Sequence, residues 1–222
     1  DWYRFLRQGT YDYINPPKLI FKGIAYRAHV GKLNRHTAFN GANCPAVIPA
    51  KDCPVSIDYL LAVLNSSLIG FYLNQVCPKK LGGYFRYNAK NISNAPIALA
   101  KDRTVSLQLE AIGASATKLG TECSSILQSF TDHLRSKYAL PKLSRALENW
   151  PSLEPGGVLK ELRKAKVSLS LAEEAEWLGY FNAEKAKAQA LQAQIDKTDA
   201  AIDALVYRLY GLTEAEIAVV EG

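Results

Sequence analysis

Residues 57–72 read IDYLLAVLNSSLIGFY, and their apolar side chains recur at helical spacing. One face of this stretch should therefore be buried. Asn65 and Ser66 interrupt the pattern, and side chains of these types compete for backbone hydrogen bonds and favour helix caps. The sequence predicts a buried helix that breaks, or is capped afresh, at this pair. The residues on its buried face are Ile57, Leu60, Leu61, Leu64, Leu68, Phe71 and Tyr72.

Short segments on both sides of this helix predict strands. Leu19–Ile24 follows a proline pair, Ala46–Ile48 lies between prolines, and Tyr84–Tyr87 follows Gly82-Gly83. Aromatic, β-branched and turn residues mixed in short segments are typical of an α+β or mixed α/β domain. We therefore predict one such domain over residues 1–100.

From Val105 onward the pattern changes to two long helices. Apolar residues step by threes and fours from Val105 to Leu134 and again from Leu178 to Leu209, and Gly211 should end the second helix. Prolines divide the connector at residues 141–172, where a short helix is expected at Leu159–Lys166. Two long helices joined by a returning connector should pack antiparallel as a coiled-coil rod over residues 101–222. The expected seam is Leu109, Ile112, Leu119, Ile126, Leu191, Ile195 and Ile202.

The net charge of +6 is unevenly distributed along the chain. Through Ala100 there are twelve Lys and Arg against four Asp and Glu, a net charge of +8, and the remainder carries −2. A basic first half beside a nearly neutral helical half is typical of a polyanion-binding module on a structural scaffold. Ordinary solubilising surface charge is the alternative interpretation.

Composition excludes several classes of protein. With 48% hydrophobic and 22% charged residues, the chain can bury a core. Tyr59–Leu64, its longest purely apolar run, is far shorter than the roughly 20 residues of a membrane span, so we expect a soluble, cytoplasmic chain. Four scattered cysteines without a C-x-x-C pair argue against zinc and disulfides. The sequence begins at Asp1 and has no methionine, so we expect it to start within a longer protein.

Asn15-Pro16-Pro17-Lys18 is close to the Asn-Pro-Pro-aromatic motif that holds a flipped adenine in amino-methyltransferases. Lys18 cannot supply the aromatic face that the extruded base requires. The fourteen preceding residues cannot contain the glycine-rich βα unit that binds S-adenosylmethionine. We interpret the motif as a proline-stiffened entry into the strand at Leu19, and we predict no catalytic, cofactor-binding or metal-binding residue in this chain.

Two basic stretches are candidates for DNA contact. In residues 79–90, cations alternate with aromatics and amides around Gly82-Gly83; Lys and Arg neutralise phosphates, and Arg and Asn can read base edges. Alternatively, Tyr84, Phe85 and Tyr87 fill the core. The second stretch, residues 27–36, surrounds Gly31 in a predicted loop. The candidate DNA-binding residues are Lys18, Arg27, Lys32, Arg35, Lys79, Lys80, Arg86 and Lys90.

Four blocks occur in a characteristic order: Pro17–Ile20, Tyr59–Ser66, Gly83–Arg86 and Ala95–Ile97. In this order they resemble the TaqI-like C-terminal specificity domain of adenine-specific DNA methyltransferases and of fused restriction-modification enzymes. The segments 168–178 and 202–213 look like the helical end of the same proteins.

The resemblance implies a bacterial DNA target-recognition domain at residues 1–100, followed by the helical rod. In that family an upstream catalytic domain of the same polypeptide, sometimes fused to an endonuclease, binds S-adenosylmethionine and faces this domain across duplex DNA. The chain itself should then hold no cofactor and perform no chemistry. Base-reading positions vary within the family, so our candidate residues rest on charge and location. The alternative function is a helical assembly scaffold that binds nucleic acid only nonspecifically, with self-association through the rod.

Overall fold

The computed structural model describes residues 14–41 and 43–222. Its mixed α and β composition agrees with the predicted class, although the single strand expected at Leu19–Ile24 is divided in two. In chain order the elements are β1 Lys18–Phe21, β2 Ile24–Ala25, β3 Val30–Leu33, β4 Ala46–Val47, α1 Ile57–Asn65, α2 Ser67–Val76, β5 Phe85–Arg86, α3 Ala89–Ile92, α4 Arg103–Tyr138, α5 Arg145–Glu148, α6 Pro155–Lys164, α7 Leu171–Tyr210 and α8 Glu214–Glu221.

The strands form two small antiparallel sheets, one ordered β3-β1-β4 and the other pairing β2 with β5. Gly23 lies at the point where the chain leaves the first sheet for the second. A Cβ atom at Gly23 would lie 1.8 Å from the carbonyl oxygen of Asn43, so only glycine permits this close backbone approach. This glycine explains why the apolar run does not continue as one strand.

The predicted helix break at Asn65-Ser66 is confirmed. α1 ends at Asn65, and the Ser66 hydroxyl caps α2 by accepting from the Ile69 amide at 3.3 Å. The Asn65 side chain accepts from the Val30 amide and donates to the Val30 carbonyl, each at 3.0 Å. Local capping chemistry therefore produces the break and also fastens the helix pair to β3.

The chain divides into two compact units. The first unit consists of the residues up to Thr117 together with Thr198–Gly222, and the second unit is Lys118–Lys197. The last part of α7 packs into the core of the first unit, where Ile202 and Val206 are buried with side chains of α1 and α2. The Tyr210 hydroxyl adds polar contacts there, donating to the Pro96 carbonyl at 2.5 Å and accepting from the Ala98 amide at 3.0 Å.

The second unit has an aromatic core. Phe130 and Trp150 stack with ring centroids 4.1 Å apart, and Phe181 meets both rings edge-on. The short connector helix that we predicted at Leu159–Lys166 is α6, which begins earlier because Pro155 fits the first turn, where no amide donor is needed.

Two long helices are present as predicted, and Gly211, with a φ of +68°, follows the last residue of the second. A coiled-coil rod is not confirmed. Of the expected seam, Leu109 and Ile202 are buried, but the other five positions are only partly buried. Periodicity identified the apolar side of each helix, whereas deep burial is concentrated in two separate cores. The five partly buried positions are Ile112, Leu119, Ile126, Leu191 and Ile195.

Within the described residues, no single helix has the length and apolarity to cross a membrane. α1 and α2 together meet that criterion of length and composition but bend by 67° at their junction. Both contribute buried side chains to the core of the first unit, including Tyr59 and Leu73.

Candidate nucleic-acid interface

Residues 78–86 form a tight hairpin, here called the 78–86 hairpin. Its arms are held by the Lys80 amide, which donates to the Tyr84 carbonyl at 2.7 Å, and by the Arg86 amide, which donates to the Pro78 carbonyl at 2.9 Å. At its tip Gly82 and Gly83 have φ values of +78° and +81°. Glycine adopts this left-handed region without the steric cost of a Cβ atom, so the Gly-Gly pair dictates the turn.

A tyrosine that directly follows β2 supports the hairpin. The rings of Tyr26 and Tyr84 stack with centroids 3.9 Å apart, and Tyr26 remains 59% exposed. A Cβ atom at Gly83 would lie 3.6 Å from the Tyr26 ring, so the turn rests directly against this pair. The hydrogen bond with Tyr84 raises the pKa of Tyr26, with a smaller contribution from desolvation. Tyr26 therefore stays neutral at physiological pH and adds no negative charge to the surface.

The register of the two-stranded sheet brings predicted cations together. Arg86 lies opposite Ile24, which is 54% exposed, and Arg27 follows Tyr26 at the same end of β2. Four of our predicted DNA-binding residues are exposed in this region and form no ion pair within the part of the chain that the structure describes. They are Arg27, Lys79, Lys80 and Arg86. We call these four cations, together with the neighbouring apolar and aromatic side chains of Ile24, Tyr26, Leu81 and Tyr84, the hairpin surface.

Lys22 extends the basic character of this region, whereas His29 does not. Desolvation, followed by the positive charges of Arg27 and Lys22, lowers the pKa of His29, and the Asp199 carboxylate opposes the shift. His29 is therefore neutral at pH 7. Lys22 was not among our predicted residues, although it is exposed at the end of β1.

Lys18 is a correction to our predicted DNA-binding set. Its side chain is completely buried, and its ammonium donates to the carbonyls of Ile14 and Thr37, each at 2.9 Å. A buried charge must be satisfied by such partners, so this lysine ties together the backbone on either side of the three-stranded sheet. It cannot reach a phosphate from this position. β1 begins at Lys18 directly after Pro16-Pro17, in agreement with our interpretation of the motif as an entry into a strand.

The second basic stretch does not form one surface. The Lys32 ammonium pairs with both carboxylate oxygens of Asp58, at 2.7 and 2.9 Å, which neutralises its charge in the fold. Arg27 precedes β3 and Arg35 follows it, so the two arginines lie at opposite ends of this strand. Arg35 and Lys90 are exposed, and their contact with DNA stays a prediction.

Sequence reasoning missed three members of the hairpin surface: Ile24, Tyr26 and Leu81. The alternation of Ile24, Ala25 and Tyr26, which are exposed, buried and exposed, is a recognisable strand signal. The predicted strand ends at Ile24 and therefore does not include Tyr26. Tyr87 is buried and fills the core, as the alternative interpretation held for that residue; its burial raises the pKa to about 12.

No cluster of three or more His, Cys, Asp or Glu side chains suited to a metal ion occurs in residues 14–41 and 43–222. The exposed groups of the hairpin surface are cations, aromatic rings and aliphatic side chains. Such a surface can bind a polyanion and contact bases, but it lacks paired acids and bases for catalysis.

Comparison with known families divides the chain in two. Residues 2–97 match the model of the TaqI-like C-terminal specificity domain, which includes the whole hairpin surface. Residues 103–206 match a domain of unknown function, DUF8810. No curated protein matches the chain.

Proposed function

We propose that the chain, whose residues 2–97 match the model of the TaqI-like C-terminal specificity domain, selects the target sequence for an adenine-specific DNA methyltransferase or restriction-modification enzyme. A domain of this family indicates DNA recognition within such a system. An upstream catalytic domain of the same polypeptide binds S-adenosylmethionine, flips the adenine and methylates it. The present chain holds the duplex in register and is not itself catalytic.

The observation that carries this proposal is that Arg27, Lys79, Lys80 and Arg86 are all exposed on, or directly beside, the β2–β5 sheet and its hairpin, inside the matched domain. Lysines at a hairpin tip suit phosphate contacts, which fix position without reading sequence. Arg86 is the best candidate for a base contact, because a guanidinium can form two hydrogen bonds with a guanine edge in the major groove.

Fluorescence anisotropy with labelled duplexes from a random-sequence pool tests DNA binding. Each neutralised phosphate releases counterions, so four contacts should give a slope of about −3.6 in a plot of log binding constant against log salt. Repeated selection from the same pool should enrich one sequence. Binding without a salt slope, or without any sequence enrichment, would contradict a specificity role and favour a scaffold that binds nucleic acid nonspecifically.

A further inference from the structure

Leu81 is the most exposed large apolar residue of the hairpin surface, with 98% of its surface accessible. Isolated exposed leucines are common and need no special explanation. Leu81 differs because it stands at the tip of a turn, directly after Lys79-Lys80 and directly before Gly82-Gly83. A hydrogen-bonded turn thus presents an aliphatic side chain to solvent, directly after two exposed lysines.

The turn that carries Leu81 is held in place before any ligand binds. The Lys80 to Tyr84 hydrogen bond closes its base, and both glycines pack against tyrosine rings, with Gly82 nearest Tyr84 and Gly83 nearest Tyr26. The two rings stack on each other, so the turn rests on a fixed platform. Insertion of its tip into a ligand would therefore cost little conformational entropy.

The charges around Leu81 identify the ligand that it fits. Lys79 and Lys80 precede it, Arg86 lies on the returning arm, and none of the three pairs with a carboxylate in the described part of the chain. Duplex DNA offers the matching arrangement, since its phosphates lie outside, base edges line the floor of each groove, and the apolar faces of the bases are stacked behind those edges. A protein partner would need an apolar pocket surrounded by acidic residues.

We propose that Leu81 is a wedge that enters a groove and inserts between adjacent base pairs, partly unstacking one step. Apolar side chains that insert in this way bend and untwist the duplex, and the energetic cost depends on the sequence being deformed. Leu81 would thus contribute to specificity through DNA deformability rather than hydrogen bonds. This inference rests on the proposed function and deepens it.

The test uses the full chain and four proteins: wild type, Leu81→Asn, Leu81→Met and Leu99→Asn. Asparagine has nearly the shape of leucine but is polar, and methionine keeps an apolar wedge. Leu99 is the matched control, because it is 52% exposed and lies outside the hairpin surface. A closed circular plasmid is relaxed by topoisomerase I with each protein bound, the protein is removed, and the topoisomers are separated on a gel. Anisotropy with random-pool duplexes measures affinity in parallel.

Wild type, Leu81→Met and Leu99→Asn should trap unwinding and leave negatively supercoiled plasmid. Leu81→Asn should leave the relaxed distribution of protein-free plasmid and bind roughly tenfold more weakly, with its salt slope unchanged because the phosphate contacts remain.

If Leu81→Asn unwinds DNA as wild type does, or if wild type binds without unwinding, the wedge is overturned while DNA binding stands. If wild type shows no salt-dependent binding, the proposed function itself is overturned. If Leu81→Asn instead abolishes self-association in sedimentation and leaves unwinding intact, the tip is a protein contact and the wedge is wrong.

Discussion

The Asp203 carboxylate accepts two hydrogen bonds from Ser67, one from its backbone amide and one from its hydroxyl, each at 2.7 Å. Ser67 is the first residue of α2, and Asp203 lies near the end of α7. A carboxylate at a helix N-terminus satisfies a free amide and opposes the positive end of the helix dipole. The N-terminus of α2 is therefore stabilised by a residue 136 positions further along the chain.

Replacing Asp203 with alanine should lower the free energy of unfolding by about 3 kcal/mol, since hydrogen bonds to charged groups each contribute about 1.5–3 kcal/mol and the two share one carboxylate. Urea denaturation measures the change. Asp196→Ala is the control on the same helix: its exposed carboxylate accepts from Gln192 at 2.8 Å, four residues earlier on the helix, so its loss should cost less than about 0.5 kcal/mol. Equal losses in the two variants would contradict the capping role.

Lys18→Met should destabilise the fold without altering electrostatic binding to DNA. The substitution leaves the carbonyls of Ile14 and Thr37 without their donor, and each buried unsatisfied group costs about 1–3 kcal/mol. The salt slope of DNA binding should equal that of wild type at a temperature where both proteins are folded. A flatter slope would show that Lys18 does contact phosphate.

Replacing Lys79 and Lys80 together with alanine should weaken binding to every duplex and flatten the salt slope by about 1.8, the contribution of two phosphate contacts. Lys160→Ala provides a control, because Lys160 is an exposed lysine of α6, outside the specificity domain. An unchanged slope in the double variant would remove these lysines from the interface.

Arg86→Ala should behave differently from the lysine pair. If Arg86 reads a base edge, the variant should lose about 1–3 kcal/mol of binding free energy on the selected sequence and much less on random duplexes. Anisotropy titrations on both DNA types measure this difference. Equal losses on both would make Arg86 a phosphate contact.

Acid should destabilise the fold through His29. Its pKa in the folded state is lowered, so folding favours the neutral ring. Its contribution to stability is complete above the unfolded-state pKa of about 6.5 and is lost as pH falls toward the lower folded-state value. As the pH falls from 8 to 5, wild type should therefore lose more unfolding free energy than the His29→Gln variant, as measured by urea denaturation at both pH values. A constant difference, or one that changes in the opposite sense, would exclude this effect.

Features governed by local chemistry were predictable from the sequence. The break at Asn65-Ser66 and the end of α7 at Gly211 depend on residues within a single turn, and both were found where expected. Lys18 could not be assigned correctly, because its burial depends on a carbonyl nineteen positions away.

The hairpin surface was only half predictable for the same reason. Its cations stand out in the sequence around Gly82-Gly83, but the ring that supports Tyr84 belongs to Tyr26, which follows a separate strand, β2, that the sequence did not reveal. Likewise, apolar periodicity marked the inward side of α4 and α7, but it could not show which positions the two cores cover.

The most direct test of a DNA-reading hairpin surface is hydrogen–deuterium exchange of the full chain with and without the duplex selected from the random pool. We predict that DNA protects the amides of residues 24–27 and 78–86 and leaves the exchange of the second unit, residues 118–197, unchanged. Protection confined to the second unit, with 24–27 and 78–86 exchanging as in the free protein, would contradict it.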